Sequence, residues 1–158
     1  MTDKVVVLLA ESKNALDRGD FQVALSLIDS TEQYVPNYIG IHFIRGMIFD
    51  KLKMFDKSEV SYAKVLSIDP KYPGVNYNLG NNAFIQGKYQ QAINNFQREL
   101  KFHKRADVLV NMARAYSNIY EIDSARSALI TALEIDSSYS NAYILMGQLS
   151  KDLGEIEK

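Results

Sequence analysis

The sequence predicts an all-α chain, a right-handed α-solenoid of about four and a half helical hairpins stacked side by side. Three observations carry that prediction: a turn string recurs near every 34 residues, small residues recur in the same register, and apolar residues fall at three-and-four spacing around each turn. The turn string is plainest. Gly19-Asp20-Phe21, Lys53-Met54-Phe55, Gly87-Lys88-Tyr89, Tyr120-Glu121-Ile122 and Gly154-Glu155-Ile156 end on apolar residues spaced 34, 34, 33 and 34 apart. A single domain over 1–158 accommodates these units.

The first unit spans 5–38. Gly19 suits the left-handed position that ends a helix, because it has no Cβ to clash, and Asp20 is expected to cap the next helix by accepting backbone N–H bonds. Ser12 takes the first small slot, polar Glu11 stands where an apolar residue is usual, and the first helix therefore reads as a solvated cap. Pro36 closes the unit. In the second unit, 39–72, Gly46 and Ser58 fill the small slots and Tyr62 the bulky one. Pro70 and Pro73 bracket the connection that follows, where a continuing helix would lose a donor and meet a ring clash.

The third unit, 73–105, is the most regular: Tyr77, Gly80, Phe84 and Ile85 precede Gly87, and Ala92, Ile93, Phe96 and Leu100 follow it. It ends in a basic cluster, Lys101, His103, Lys104 and Arg105, which suits a helix C-terminus by offsetting its dipole; the competing use is a docking patch for an acidic partner. The fourth unit, 106–139, places Ala113 and Ala125 in the small slots and Leu129 in the bulky one. A partial fifth, 140–158, carries Gly147 and repeats the turn string at Gly154. Its apolar stripe of Tyr143, Met146, Leu149 and Leu153 is expected to need a covering partner, either a following helix of a longer protein or another subunit.

Hydrophobic residues make up 47% and charged residues 23%, with Gly 8 and Pro 3, as in an ordinary globular protein. Lys+Arg 18 against Asp+Glu 19 leaves a net charge of -1, which removes the broad positive field of general nucleic-acid binding. Cys 0 excludes disulfides and thiolate metal sites. The apolar run from Val5 to Ala10 is too short to span a membrane. A cytoplasmic setting is expected, with a periplasmic or envelope-associated one as the alternative if an upstream signal has been removed.

No phosphate-cradling glycine loop, zinc-protease motif, nucleophile elbow or calcium loop occurs. His42 and His103 lie 61 residues apart, and no second His stands at helical spacing beside either. The acidic residues are dispersed and form no recognisable acid–base pair. The expectation is a protein without enzymatic activity, cofactor or metal.

Leu79-Gly80, Gly87-Lys88-Tyr89, Ala92 and Phe96 together resemble the tetratricopeptide repeat family, and the resemblance extends over residues 5–158. It implies that the first helix of each unit lines a concave face receiving an extended peptide or a partner helix. The inward residues would then be Phe43 and Met47; Tyr77, Asn78 and Asn81; Asn111, Arg114 and Asn118; and Asn141, Ile144 and Gln148. His42 takes a slot where the family commonly has an aromatic, which implies packing. Asn78 and Asn111 share one slot and resemble the asparagine ladder of sugar-transferase repeats that hold peptide backbones. Side-chain amides both donate and accept, so they can pair with a main chain without reading its sequence. Family members that grip the carboxylate of chaperone tails use Lys and Arg in slots that here hold Phe43, Tyr77, Asp107 or Asn141, so chaperone tails are not expected partners. The implied function is that of a protein-interaction scaffold or adaptor; the alternative is a regulatory or targeting segment of a larger enzyme or envelope protein.

Overall fold

Four of the five turn strings become tight reversals between two helices. The computed structural model describes the backbone of residues 3–156 and the side chains of residues 3–151. Among the described residues there are nine α-helices and no strands: α1 (Asp3–Arg18), α2 (Phe21–Tyr34), α3 (Ile39–Lys51), α4 (Phe55–Ile68), α5 (Val75–Ile85), α6 (Tyr89–Leu100), α7 (Ala106–Asn118), α8 (Ile122–Ile135) and α9 (Ser140–Ile156). Helices begin at Ile39, Ala106 and Ser140. Pro70 and Pro73 fall in the connection between α4 and α5.

The reversals are closed by backbone chemistry. Gly19, Lys53, Gly87 and Tyr120 all adopt positive φ, at 84, 56, 73 and 61°. In each case that residue's N–H bonds the carbonyl three residues back, and the next N–H reaches five back: Gly19 to Leu16 and Asp20 to Ala15 at 3.0 and 2.9 Å, Gly87 to Phe84 and Lys88 to Ala83 at 2.9 and 2.9 Å. Lys53 and Met54 repeat the pattern onto Asp50 and Phe49, and Tyr120 and Glu121 onto Ser117 and Tyr116. This paired bonding satisfies carbonyls that a helix end otherwise leaves orphaned. Lys53 and Tyr120 hold the left-handed conformation despite their Cβ atoms, a strain of about 1 kcal/mol each. Lys53→Gly and Tyr120→Gly should therefore each raise stability, by no more than about 0.5 kcal/mol after the extra flexibility of the unfolded chain is subtracted; urea midpoints lower than wild type would contradict the strain.

Two expectations at the helix ends are corrected. Asp20 precedes α2 but makes no side-chain bond to its amides. Its backbone, at φ -81 and ψ 60°, lies outside the extended region that aims a capping oxygen, and the carboxylate sits 3.1 Å from Arg18 Nε instead. The turn expected at Gly154 does not form, because α9 continues to Ile156. A glycine within a helix costs only about 1 kcal/mol, so the residue does not by itself enforce a break.

Packing follows the small-and-bulky register. Gly46 lies against the Tyr62 ring, where a Cβ would approach ring carbons within 2.9 Å, and Gly80 lies against the Phe96 ring in the same way. Ser12, fully buried, uses its hydroxyl to bond the Ala24 carbonyl at 3.1 Å. Small residues thus let paired helices approach closely.

The chain forms two compact units, Met1–Val75 and Asn76–Lys158. In the first, α1 pairs with α2, α3 packs on both and pairs with α4, around Ala15, Leu16, Ala24, Ile28, Ile41 and Ile48. Glu11, Val6 and Val7 stay exposed on α1. In the second, α6 packs on α7, α7 pairs with α8, and α9 packs on both of them. Leu149 is buried there and Met146 packs against the same core, so this part of the stripe expected to need a partner is covered within the unit. Tyr143 stays exposed, and the Leu153 side chain lies outside the described residues.

Candidate peptide-binding face

The first helices of the hairpins position the candidate site. In the second unit α5 supplies Tyr77 and Asn81, and α7 supplies Asn111. The Asn111 Nδ2 group donates to Tyr77 Oη at 3.2 Å and to Asn81 Oδ1 at 3.1 Å. Both amide hydrogens of Asn111 are thereby used, and its Oδ1 is left to accept.

Arg105, immediately before α7, covers the same ring. Its guanidinium carbon lies 4.6 Å from the Tyr77 centroid, while Nε and Nη2 form a two-point contact with Asp107 at 3.0 and 2.6 Å. Glu99, almost fully buried, lies 3.8 Å away. The Asp107 hydrogen bonds outweigh burial and hold the Arg105 pKa above its usual value. Arg105 is thus committed to the fold, and the four-residue basic cluster does not act as one patch: Lys101 leans on the Phe102 ring and His103 is half-buried. Charge reversal at Arg105 would therefore disturb the structure first.

The first unit builds a similar platform from apolar groups. Phe43 packs against Tyr62 at 6.0 Å and Tyr72 at 5.1 Å between centroids. Tyr77 meets Phe96 at 6.2 Å in the corresponding place. Met47 packs onto the core of the first unit. Both aromatics therefore share their faces between the core and the surface.

Asn78 is half-buried on α5. Arg114 and Asn118 are exposed on α7, with Asn118 Nδ2 bonded to the Arg114 carbonyl at 2.9 Å. Asn141, Ile144 and Gln148 are exposed along α9. His42 is buried, as its aromatic slot implied. What the sequence reading missed is the closing residue of each unit, Tyr72 and Arg105, which folds back over Phe43 and Tyr77. The signal lay in the register, since both are the last residue of their units.

A family model described as Tetratricopeptide repeat matches residues 39–72 and 106–139. Two of the chain's hairpins are tetratricopeptide repeats. The matched segments are the α3–α4 and α7–α8 hairpins, with α9 opening after the second of them. Solved structures agree in fold. A MamA fragment from Desulfovibrio magneticus RS-1 superposes with a TM-score of 0.83 at 17% identity, covering 98% of this chain and 88% of that one. PilW, described as a widely conserved type IV pilus biogenesis factor, gives 0.83 at 16%, covering 99% and 73%. TTC0263, a thermophilic tetratricopeptide protein of Thermus thermophilus, gives 0.76 at 14%, covering 90% and 79%. These likenesses establish an all-α tetratricopeptide solenoid fold. No curated protein matches the chain. No helix among the described residues is long and apolar enough to cross a membrane.

Proposed function

We propose that the chain is a protein-interaction scaffold whose first-helix face holds an extended segment of another protein. The observation that carries this reading is the Tyr77–Asn81–Asn111 network. With Asn111 donating inward, the face presents the Asn111 Oδ1 acceptor on one helix, and the Asn81 amide and Tyr77 hydroxyl donors on the other. A main chain offers the complementary pair, N–H and C=O. The network is held in place before a guest arrives, which reduces the entropy lost on binding. In the first unit, Phe43 and Met47 supply apolar area for guest side chains, as aromatic and thioether groups do at adaptable interfaces.

Asn78→Ala and Asn111→Ala together should weaken a bound peptide by about 2 kcal/mol, since neutral hydrogen bonds each contribute about 1 kcal/mol. Partner capture with and without the two substitutions identifies the guest, and calorimetry on that guest measures the loss. An affinity equal to wild type would remove the face from consideration. Among the described residues no group of three or more His, Asp or Glu side chains is placed to hold a metal ion, and the proposed activity needs none.

A further inference from the structure

Among the described residues the same hollow occurs in two hairpins, and the copy in the first unit is cationic. Between α3 and α4 of the first unit lies a cavity of about 340 Å³ walled by His42, Arg45 and Phe49 from α3 and by Lys57, Val60 and Lys64 from α4. A cavity of about 480 Å³ lies between α7 and α8 of the second unit, 67 residues further on at every lining position. There Leu109, Met112, Ser124 and Thr131 replace His42, Arg45, Lys57 and Lys64. Hairpin geometry alone therefore makes the hollow, and side chains make the first copy basic.

Not every charge in that copy is available. Arg45 is bound to Glu32 at 2.7 Å and Asp29 at 2.9 Å, both on α2. Burial opposes its charge, but those bonds more than offset it and leave its pKa raised. Lys57 and Lys64 are exposed, and neither forms a salt bridge among the described residues. Lys57 leans over the Phe49 ring at 5.6 Å. Asp56, in the first turn of α4, is the one carboxylate on the wall. The two lysines stand seven positions apart, about 10 Å along the helix, with Val60 between them and 62% exposed.

His42 supplies a second, independent sign. The residue is 3% exposed, lines the hollow, and its Nδ1 has no hydrogen-bond partner among the described residues. A buried polar atom without a partner is costly and uncommon, and it marks a place where polar contact is still to be made. Burial lowers the His42 pKa, with Lys64 adding to the effect, so the imidazole enters any contact as a neutral group.

We propose that this hollow docks an acidic, apolar-centred segment of a partner protein, with carboxylates at Lys57 and Lys64 and an aliphatic side chain between them on Val60 and Phe49. Charge complementarity selects the occupant, because the second copy of the hollow, whose one charged wall residue is Asp123, offers the shape without the cations. The surface is separate from the first-helix face and shares no residue with it.

Fluorescence anisotropy with a labelled peptide repeating Glu-Ile-Glu tests the proposal on the full chain. Binding should weaken as salt rises, fall about tenfold in Lys57→Gln/Lys64→Gln, and be lost for the matching Gln-Ile-Gln peptide. Asn78→Ala/Asn111→Ala should leave it unchanged, which separates this site from the first-helix face. Both lysines are exposed, and a thermal melt verifies that the double variant folds. Absence of wild-type binding at low salt, equal binding by the double variant, or equal binding of the Gln-Ile-Gln peptide would each overturn it.

Discussion

Replacing Gly80 with leucine should unfold the second unit at temperatures where the wild-type protein is native. A Cβ at this position meets three carbons of the Phe96 ring within 3.0 Å. That ring is fully buried, so it has no open space to swing into. The helices must separate or the ring must leave its rotamer, at a cost of about 3 kcal/mol, which lowers the melting temperature by roughly 10 °C in a chain of this size. Gly80→Ala should cost less. Combined with Phe96→Leu, it should lose less than the sum of the two single losses, because the smaller side chain removes the collision. Additive losses in that cycle, or a leucine variant melting with wild type, would show that the small slot is not set by the ring.

Arg105→Ala should be the second most damaging single change, at about 2 kcal/mol by denaturant unfolding. The guanidinium makes a two-point, charge-assisted contact with Asp107 and covers the Tyr77 ring, and each such contact contributes about 1 kcal/mol or more. The side chain is 35% exposed, so water tempers the loss. Arg105→Lys should recover only a minor part, because an ammonium cannot make the planar two-point contact. If the lysine variant equals wild type, simple charge suffices and the geometry is irrelevant. Arg105→Ala should also loosen the Tyr77 hydroxyl that Asn111 bonds, so peptide affinity and stability should fall together.

The architecture was legible in the sequence because hairpin repeats write their rules locally. Gly46 and Gly80 announced the close approach, and Tyr62 and Phe96, sixteen residues further on in each unit, are the rings that fill it. Gly87 announced a left-handed turn; Lys53 and Tyr120 showed the same conformation only through their place in the register. The failures have separate causes, one local and one distant. Asp20 had the right type and position for a cap, yet the left-handed turn before it set a backbone angle that points the carboxylate elsewhere. Leu149 read as an unpartnered stripe because α9's contact with both α7 and α8 depends on residues distant in sequence.

The candidate face was legible by residue and not by bonding. Tyr77, Asn81 and Asn111 were all expected to point inward, but nothing in spacing says that Asn111 donates to the other two. Arg105 was read as one charge in a run of four, whereas its role depends on a ring 28 residues earlier. The basic hollow of the first unit was invisible for the same reason: His42, Lys57 and Lys64 look unremarkable until α3 and α4 are folded together.

The four reversals rest on main-chain bonds that glycine, lysine and tyrosine alike can make. The closing bonds of such a hairpin are its own and draw on no other hairpin. Duplication or loss of one such module lengthens or shortens the array while leaving the interior of every other hairpin intact, so growth by copying is a change this architecture absorbs without redesign.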